Sequence, residues 1–190
     1  MAEAGYKSLI SYKLADIAFQ LGWEFVPTYY TKYEDGRQRD QIKQALRSLK
    51  QNIVEGCSER SLSTKLKLYD VAKSSGMEAL EDFEDILKFE NLTRWNKSDF
   101  RLFKLRKHFE LLPSNTPNPP NPSLSSLTVV LGLSPGRDAV ASVVNYQIDL
   151  LIRCGYLMDK LINSIEKKHK REGGYSENLL RKRLEYRKNK

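Results

Sequence analysis

The sequence predicts an all-α protein: an antiparallel up-down-up-down four-helix bundle, with an inserted short helix and a Pro-rich linker between bundle helices three and four. Three observations predict it. Four long stretches carry apolar residues at alternating four- and three-residue spacings, which line one face of a helix. β-Branched runs, which favour strands, are scarce outside Thr128 to Val130. The prolines cluster, which leaves the rest of the chain open to long uninterrupted helices. With 190 residues and 40% hydrophobic side chains, the chain suffices for one domain with a core and an appendage.

Helix one is expected from Tyr6 to about Tyr30. Ile10, Leu14, Ile17, Leu21 and Phe25 form its seam, flanked by Leu9, Ala18 and Trp23, and Pro27 ends or bends it. Asp35-Gly36 marks the following turn. Helix two begins near Arg37. Its apolar face is Ile42, Ala45, Leu46, Leu49 and Ile53; Gly56 ends the pattern, and Ser58 and Ser61 offer caps for the next helix. Its polar side carries Arg39, Lys43, Arg47 and Lys50 as a basic stripe, which reads as a solvated face, an intersubunit ion-pair surface or a phosphate-binding surface. Helix three runs from about Leu62 to Glu90, with Leu62, Leu66, Tyr69, Gly76, Leu80, Phe83 and Leu87 in its seam. Gly76 costs about 1 kcal/mol of helix propensity there, which points to close approach of a neighbouring helix. Glu78, Glu81, Asp82 and Asp85 share one face, an acidic stripe that is solvated or opposed by basic side chains; a bundle metal site would add histidines from facing helices.

Within helix two, Ser48, Asn52, Ile53, Glu55 and Gly56, followed by Arg60-Ser61, form the pattern S-x-x-x-N-I-x-E-G then R-S. This pattern resembles a small bacterial family, the four-helix bundle proteins encoded within intervening sequences of 23S ribosomal RNA genes, to which the accessory protein of diversity-generating retroelements is related. The likeness extends from about Tyr6 to Leu87 and resumes from about Val140 to Ile165. It implies a ring-like pentamer with basic surfaces. Read from the residues alone, Ser48, Asn52, Glu55, Gly56 and Arg60 form a packing or assembly motif. The Asn52 amide can bond a neighbouring helix and fix register. Glu55 can cap helix three or pair with Arg60, and Arg60 can reach across a subunit boundary or contact phosphate.

Residues 91–137 are an insertion relative to the simplest members of that family. A short helix is expected from Asn96 to Leu112, with Ser98 as N-cap and Asp99 in the first turn. Its apolar side is Phe100, Phe103 and Leu111, and its polar side is Arg101, Lys104, Arg106 and Lys107. Residues 113–123 hold four closely spaced prolines and read as an extended linker. Residues 127–133 are apolar and short, compatible with strand or helix; Ser134-Pro135-Gly136 is a turn. The last bundle helix is expected from Arg137 to about Arg171. Val140, Val144, Leu151, Cys154, Met158, Leu161 and Ile165 lie in its seam, and Gln147 occupies the one missing step. Cys154 reads as a small core residue. Gly173-Gly174 ends this helix. Beyond it, Tyr175 to Lys190 is either a short basic helix, capped by Ser176 and packed through Leu179, Leu180 and Leu184, or a segment that orders on binding. The division is therefore a bundle over 1–166 and a basic tail over 167–190.

Charge follows that division. The chain carries +8, of which residues 167–190 hold +7, from ten Lys/Arg and three acids. Clustered positive charge of this sort suits either solubility or polyanion binding. Recognisable catalytic patterns are missing: there is no Gly-rich phosphate loop, no C-x-x-C, no H-E-x-x-H and no serine nucleophile signature. Glu166-x-x-His169 has di-iron spacing but lacks the second such motif and the extra carboxylates. With two cysteines, no hydrophobic leader and no apolar run of membrane length, a reducing cytoplasmic setting without cofactors is expected. The functional expectation is a non-enzymatic oligomer that binds RNA or DNA beside a partner protein. Its contacts would be Arg39, Lys43, Arg47, Lys50, Lys167, Lys168, Lys170, Arg171, Arg181, Lys182 and Arg183. The alternative is an interaction or scaffold module that does not touch nucleic acid.

Overall fold

The computed structural model describes residues 5–110 and 122–188. Leu111, assigned above to the inserted helix, and residues 113–121 of the Pro-rich linker lie outside the described residues. After a 3-10 turn at Gly5–Ser8, the helices are α1 (Ile10–Tyr29), α2 (Gly36–Ser58), α3 (Leu62–Phe89), α4 (Phe100–Phe109), α5 (Leu124–Leu131), α6 (Arg137–Glu172) and α7 (Tyr175–Lys188). The described residues contain no strand. The protein is thus all-helical. The four long helices pack in a ring of neighbours, α1 on α2, α2 on α3, α3 on α6 and α6 back on α1.

The core lies inside this ring. Leu14, Leu21 and Phe25 of α1 meet Ile42, Leu46, Leu49 and Ile53 of α2 and Tyr69, Phe83 and Ile86 of α3. Burying side chains of this size, at about 1.5–3 kcal/mol each, is the main source of stability. Ile10 is exposed, so the α1 seam begins one turn later than the spacing suggests. Pro27 sits inside the last turn of α1, and the helix stops two residues later. Its ring cannot supply an N–H to the Trp23 carbonyl one turn earlier, and only Thr28 and Tyr29 continue the helix beyond it.

Helix α6 departs most from a one-sided seam. Residues 142–151 are all buried, including Ser142, Asn145, Gln147 and Asp149. The cause is the insertion: α4 and α5 both pack on α6, so this part is covered on its outer side as well as by the ring. Gln147, at the missing step of the seam, is fully buried and donates its Nε2 proton to the Ala18 carbonyl at 2.9 Å. Helix α5 settles the strand-or-helix question for this apolar segment. Ser123 and Ser126 form a capping box at its start, and Gly132 closes it at φ 68°.

The inserted helix is shorter and turned relative to expectation. Asp99, not Ser98, caps it, accepting from the Arg101 N–H at 2.9 Å. Its buried side is Leu102, Leu105 and Phe109; Phe100 and Phe103 are exposed. Arg106 decides the rotation. Its guanidinium reaches inward to the buried Asp149 carboxylate, which brings Leu102 and Leu105 against α6.

Candidate nucleic-acid interface

The basic stripe of α2 lies at the α1 boundary and is largely engaged. Lys50 pairs with Asp16 at 3.2 Å and sits 4.0 Å over the Phe19 ring. Lys43 stands 3.8 Å over the Trp23 ring, and Arg39 donates to the Tyr30 carbonyl at 3.4 Å. These contacts follow from helix geometry: Lys43 and Lys50, two turns apart on α2, face Trp23 and Asp16, two turns apart on α1. Arg47 is exposed and has no side-chain partner among the described residues.

The acidic stripe of α3 is also partly occupied. Asp82 accepts from Gln38 at 2.7 Å, and burial raises its pKa, with Glu78 and Asp85 adding to the rise against that hydrogen bond. Asp85 pairs with Lys88 at 2.8 Å. Glu78 lines a cleft of about 570 Å³ between α2 and α3, with Arg37, Asp40, Gln44, Ser48 and Ser75. Both charge signs share this cleft, so it offers no single preference for an anion or a cation.

Two residues of the α2 motif, Ser48 and Gly56, make contacts with α3 that the spacing did not reveal. Asn52 donates to the Ser48 carbonyl at 2.9 Å and to the Ser48 hydroxyl at 3.1 Å, so its amide bonds its own helix rather than a neighbour. The crossing to α3 runs through Ser48, which accepts from the Ser75 hydroxyl at 2.9 Å. Gly56 does not end α2, which continues to Ser58. It is instead a point of close approach, where a Cβ would lie 2.5 Å from the Tyr69 ring. The cap at the start of α3 comes from Glu59, whose Oε1 accepts from the N–H groups of Arg60 and Ser61, and from Ser61, which accepts from Thr64. The Glu55 carboxylate is not part of it. Arg60 is exposed and unpaired among the described residues.

The tail extends the cationic surface. Lys167, Lys168, Lys170 and Arg171 are exposed on the last turns of α6, and Arg181, Lys182 and Arg183 are exposed on α7. Glu172 takes up part of this charge, from Arg171 at 2.6 Å and Lys168 at 3.9 Å, and the Arg171 hydrogen bond lowers its pKa. Helix α7 starts at Tyr175, ahead of the expected Ser176 cap, and none of its residues is buried. Leu179, Leu180 and Leu184, expected as packing contacts, are exposed.

A polar network joins the insertion to α6. Arg153 donates to Glu110 at 2.8 and 2.5 Å and to Asp149 at 3.0 Å, while Arg106 clasps Asp149 and donates to the Lys97 carbonyl at 3.2 Å. Tyr146 donates to Glu110 at 3.1 Å, and burial followed by the Glu110 charge raises its pKa well above the ordinary phenol value. Asn145 fixes the preceding loop through the Trp95 N–H and the Thr93 carbonyl. Arg106, counted by sequence among the polar-side cations, is therefore an internal ion-pair partner. Lys104 and Lys107 remain outward, beside Phe100 and Phe103. The sequence places Phe100 and Phe103 opposite Lys104 and Lys107, whereas the structure leaves all four exposed; the spacing of 100, 103, 104 and 107, which falls on one side of a helix, is the signal that would have joined them.

Cys154 is buried, its thiol directed at the Ser11 carbonyl, and burial pushes its pKa up to about 12. Among the described residues, no helix is long and apolar enough to cross a membrane, and no group of three or more His, Cys, Asp or Glu side chains converges. Comparison of the chain with protein-family models, curated proteins and solved structures finds no match.

Proposed function

We propose that this protein is a non-enzymatic accessory protein that binds nucleic acid through basic surfaces. It is built on an antiparallel up-down-up-down four-helix bundle over 1–166, assembles as a homo-oligomer, and carries a basic tail over 167–190. The ring packing of α1, α2, α3 and α6 and the short α1–α2 and α2–α3 connections support the bundle. The resemblance of Ser48–Ser61 to the ribosomal intervening-sequence family supports a pentamer. One observation carries the function: nearly all the net charge of the chain lies in 167–190, and the Lys and Arg side chains of 167–188 are exposed along α6 and α7. A nearly neutral body with a cationic arm concentrates long-range attraction for a polyanion in the arm.

The test is truncation after Glu166, which retains the seam through Ile165. Helicity is expected to persist, while affinity for RNA and DNA falls and its salt dependence flattens by about 0.7–0.9 per lost phosphate contact. Equal affinity and slope would exclude the tail and leave Arg47 and its neighbours on α2. A second reading, a protein-interaction scaffold, is favoured by a groove of about 400 Å³ between α3 and α6. It is lined by Gly76, Met77, Ile152, Gly155 and Tyr156, of which Met77, Ile152 and Tyr156 are exposed. Failure of the full chain to bind either nucleic acid at about 50 mM salt, where phosphate contacts are strongest, would select that reading.

A further inference from the structure

We propose that the outward face of α4 is a stacking platform for single-stranded nucleic acid, made by Phe100 and Phe103 and flanked by Lys104 and Lys107. The inference rests on the nucleic-acid-binding reading and adds a site and a strand preference to it.

The inward side of α4 is complete without these residues. Leu102, Leu105 and Phe109 are buried, and Arg106 is bound to Asp149. Phe100 and Phe103 are left 65% and 58% exposed. Two phenyl rings in water within one turn have no role in packing α4, and they lie with Lys104 and Lys107 at i, i+3, i+4 and i+7, on one face. Phe100 and Phe103 are three residues apart, a backbone rise of about 4.5 Å along the helix axis, as are Lys104 and Lys107.

Charge selects the partner. Arg101 is neutralised by Asp99 at 2.8 Å and Arg106 by Asp149, whereas Lys104 and Lys107 have no carboxylate partner among the described residues. The Lys104 ammonium stands 4.9 Å from the Phe100 ring centroid, so ring and cation are presented together. An apolar protein surface would have to desolvate both lysines to cover the rings. A single strand meets both groups, because each base offers a π-face and each nucleotide a phosphate. In a duplex the base faces are already covered by stacking, so the rings gain nothing from it.

The experiment measures binding of the full chain to fluorescein-labelled twelve-nucleotide oligo-dT and to a twelve-base-pair duplex across a salt series. The joint substitution Phe100→Ala and Phe103→Ala is expected to weaken oligo-dT binding about tenfold or more, with the salt slope unchanged and duplex binding unaffected. The pair Phe100→Leu and Phe103→Leu, which keeps the face apolar, is expected to lose as much. The pair Phe100→Tyr and Phe103→Tyr keeps the rings and is expected to retain affinity. Lys104→Ala with Lys107→Ala should lower the oligo-dT slope by about 1.4, two phosphate contacts at 0.7 each. Unchanged oligo-dT binding in the alanine pair overturns the platform. So does full affinity in the leucine pair, which would mark a merely apolar contact, or a fall in oligomer mass in the alanine pair, which would mark a face between copies. A native chain that binds duplex but not oligo-dT overturns the platform and leaves the broader reading standing; one that binds neither overturns both.

Discussion

A methyl group at position 56 would stand 2.5 and 2.7 Å from two carbons of the Tyr69 ring. That ring is fully buried, and burial raises its phenol pKa to about 12, with Cys57 adding to the rise. A ring held on all sides cannot step aside for a Cβ at low cost. Gly56→Ala is therefore expected to destabilise the protein by about 1–3 kcal/mol, the usual cost of overpacking, although alanine is the better helix former. Gly155, with nothing within 4 Å of a built Cβ, is the control: Gly155→Ala is expected to stabilise by about 0.5–1 kcal/mol. Urea unfolding followed by circular dichroism checks both, and equal midpoints would show that Tyr69 does not restrict position 56. The cysteines separate in the same way. The buried Cys154 thiol, with a pKa near 12, is inert at pH 8, while Cys57 is partly exposed. Ellman's reagent is expected to titrate one thiol rapidly in the native chain and two after denaturation; two fast thiols in the native chain would contradict the burial of Cys154. At this scale, the sequence singled out Ser48 and Gly56, which contact α3, but it did not show how Ser48, Asn52 and Ser75 are joined. Whether Asn52 reaches across or back is set by Ser48 and Ser75, which are 27 positions apart.

Helix α4 shows where periodicity runs out. Its ten residues carry apolar side chains on both sides, Phe100 and Phe103 on one and Leu102, Leu105 and Phe109 on the other. Spacing alone cannot rank two apolar faces on so short a helix. The decisive partner, Asp149, lies 43 residues from Arg106 and has no local signature. The long helices were legible because their seams repeat over about three to seven turns, so an error in one position does not rotate the element. Helix α5 was legible in principle, through Ser123 and Gly132 at its two ends rather than through its apolar run. The cap of α4 supports a prediction at this scale. Asp99→Ala is expected to cost about 1 kcal/mol, because the Arg101 N–H loses its acceptor. The Arg101 side-chain hydrogen bond, ahead of the backbone bond and the Arg101 charge, holds the Asp99 carboxyl below its ordinary range. A carboxylate whose folded pKa is lowered stabilises above its unfolded pKa and loses that contribution as pH falls through the folded value. Acid should thus loosen the start of α4 only below about pH 4, the unfolded aspartate value. Arg101 also covers the Trp95 ring at 3.8 Å, so tryptophan fluorescence reports the event. Asp99→Asn keeps an acceptor but does not titrate, and should reduce the amplitude of that transition; an unchanged acid transition in Asp99→Asn would assign it elsewhere.

Across the whole molecule, the proposed assembly would multiply the net charge of the single chain. Each chain carries +8, almost all of it in its tail, so the proposed oligomer would present several separate cationic arms rather than one continuous patch. Separate arms favour ligands long enough to reach more than one of them, and the gain is avidity rather than tighter single contacts. Two measurements follow. Light scattering at micromolar concentration is expected to give a multiple of 22.0 kDa, and the chain truncated after Glu166 is expected to keep the same multiple, because none of the described tail residues is buried. Affinity for nucleic acid is expected to rise steeply with strand length while the protein is assembled, and to depend only weakly on length when dilution separates the chains. A mass of 22.0 kDa would remove the assembly, and with it the length dependence. A stable oligomer with no length dependence would mean that one arm satisfies the ligand, which would move the binding surface from the set of tails to a single chain.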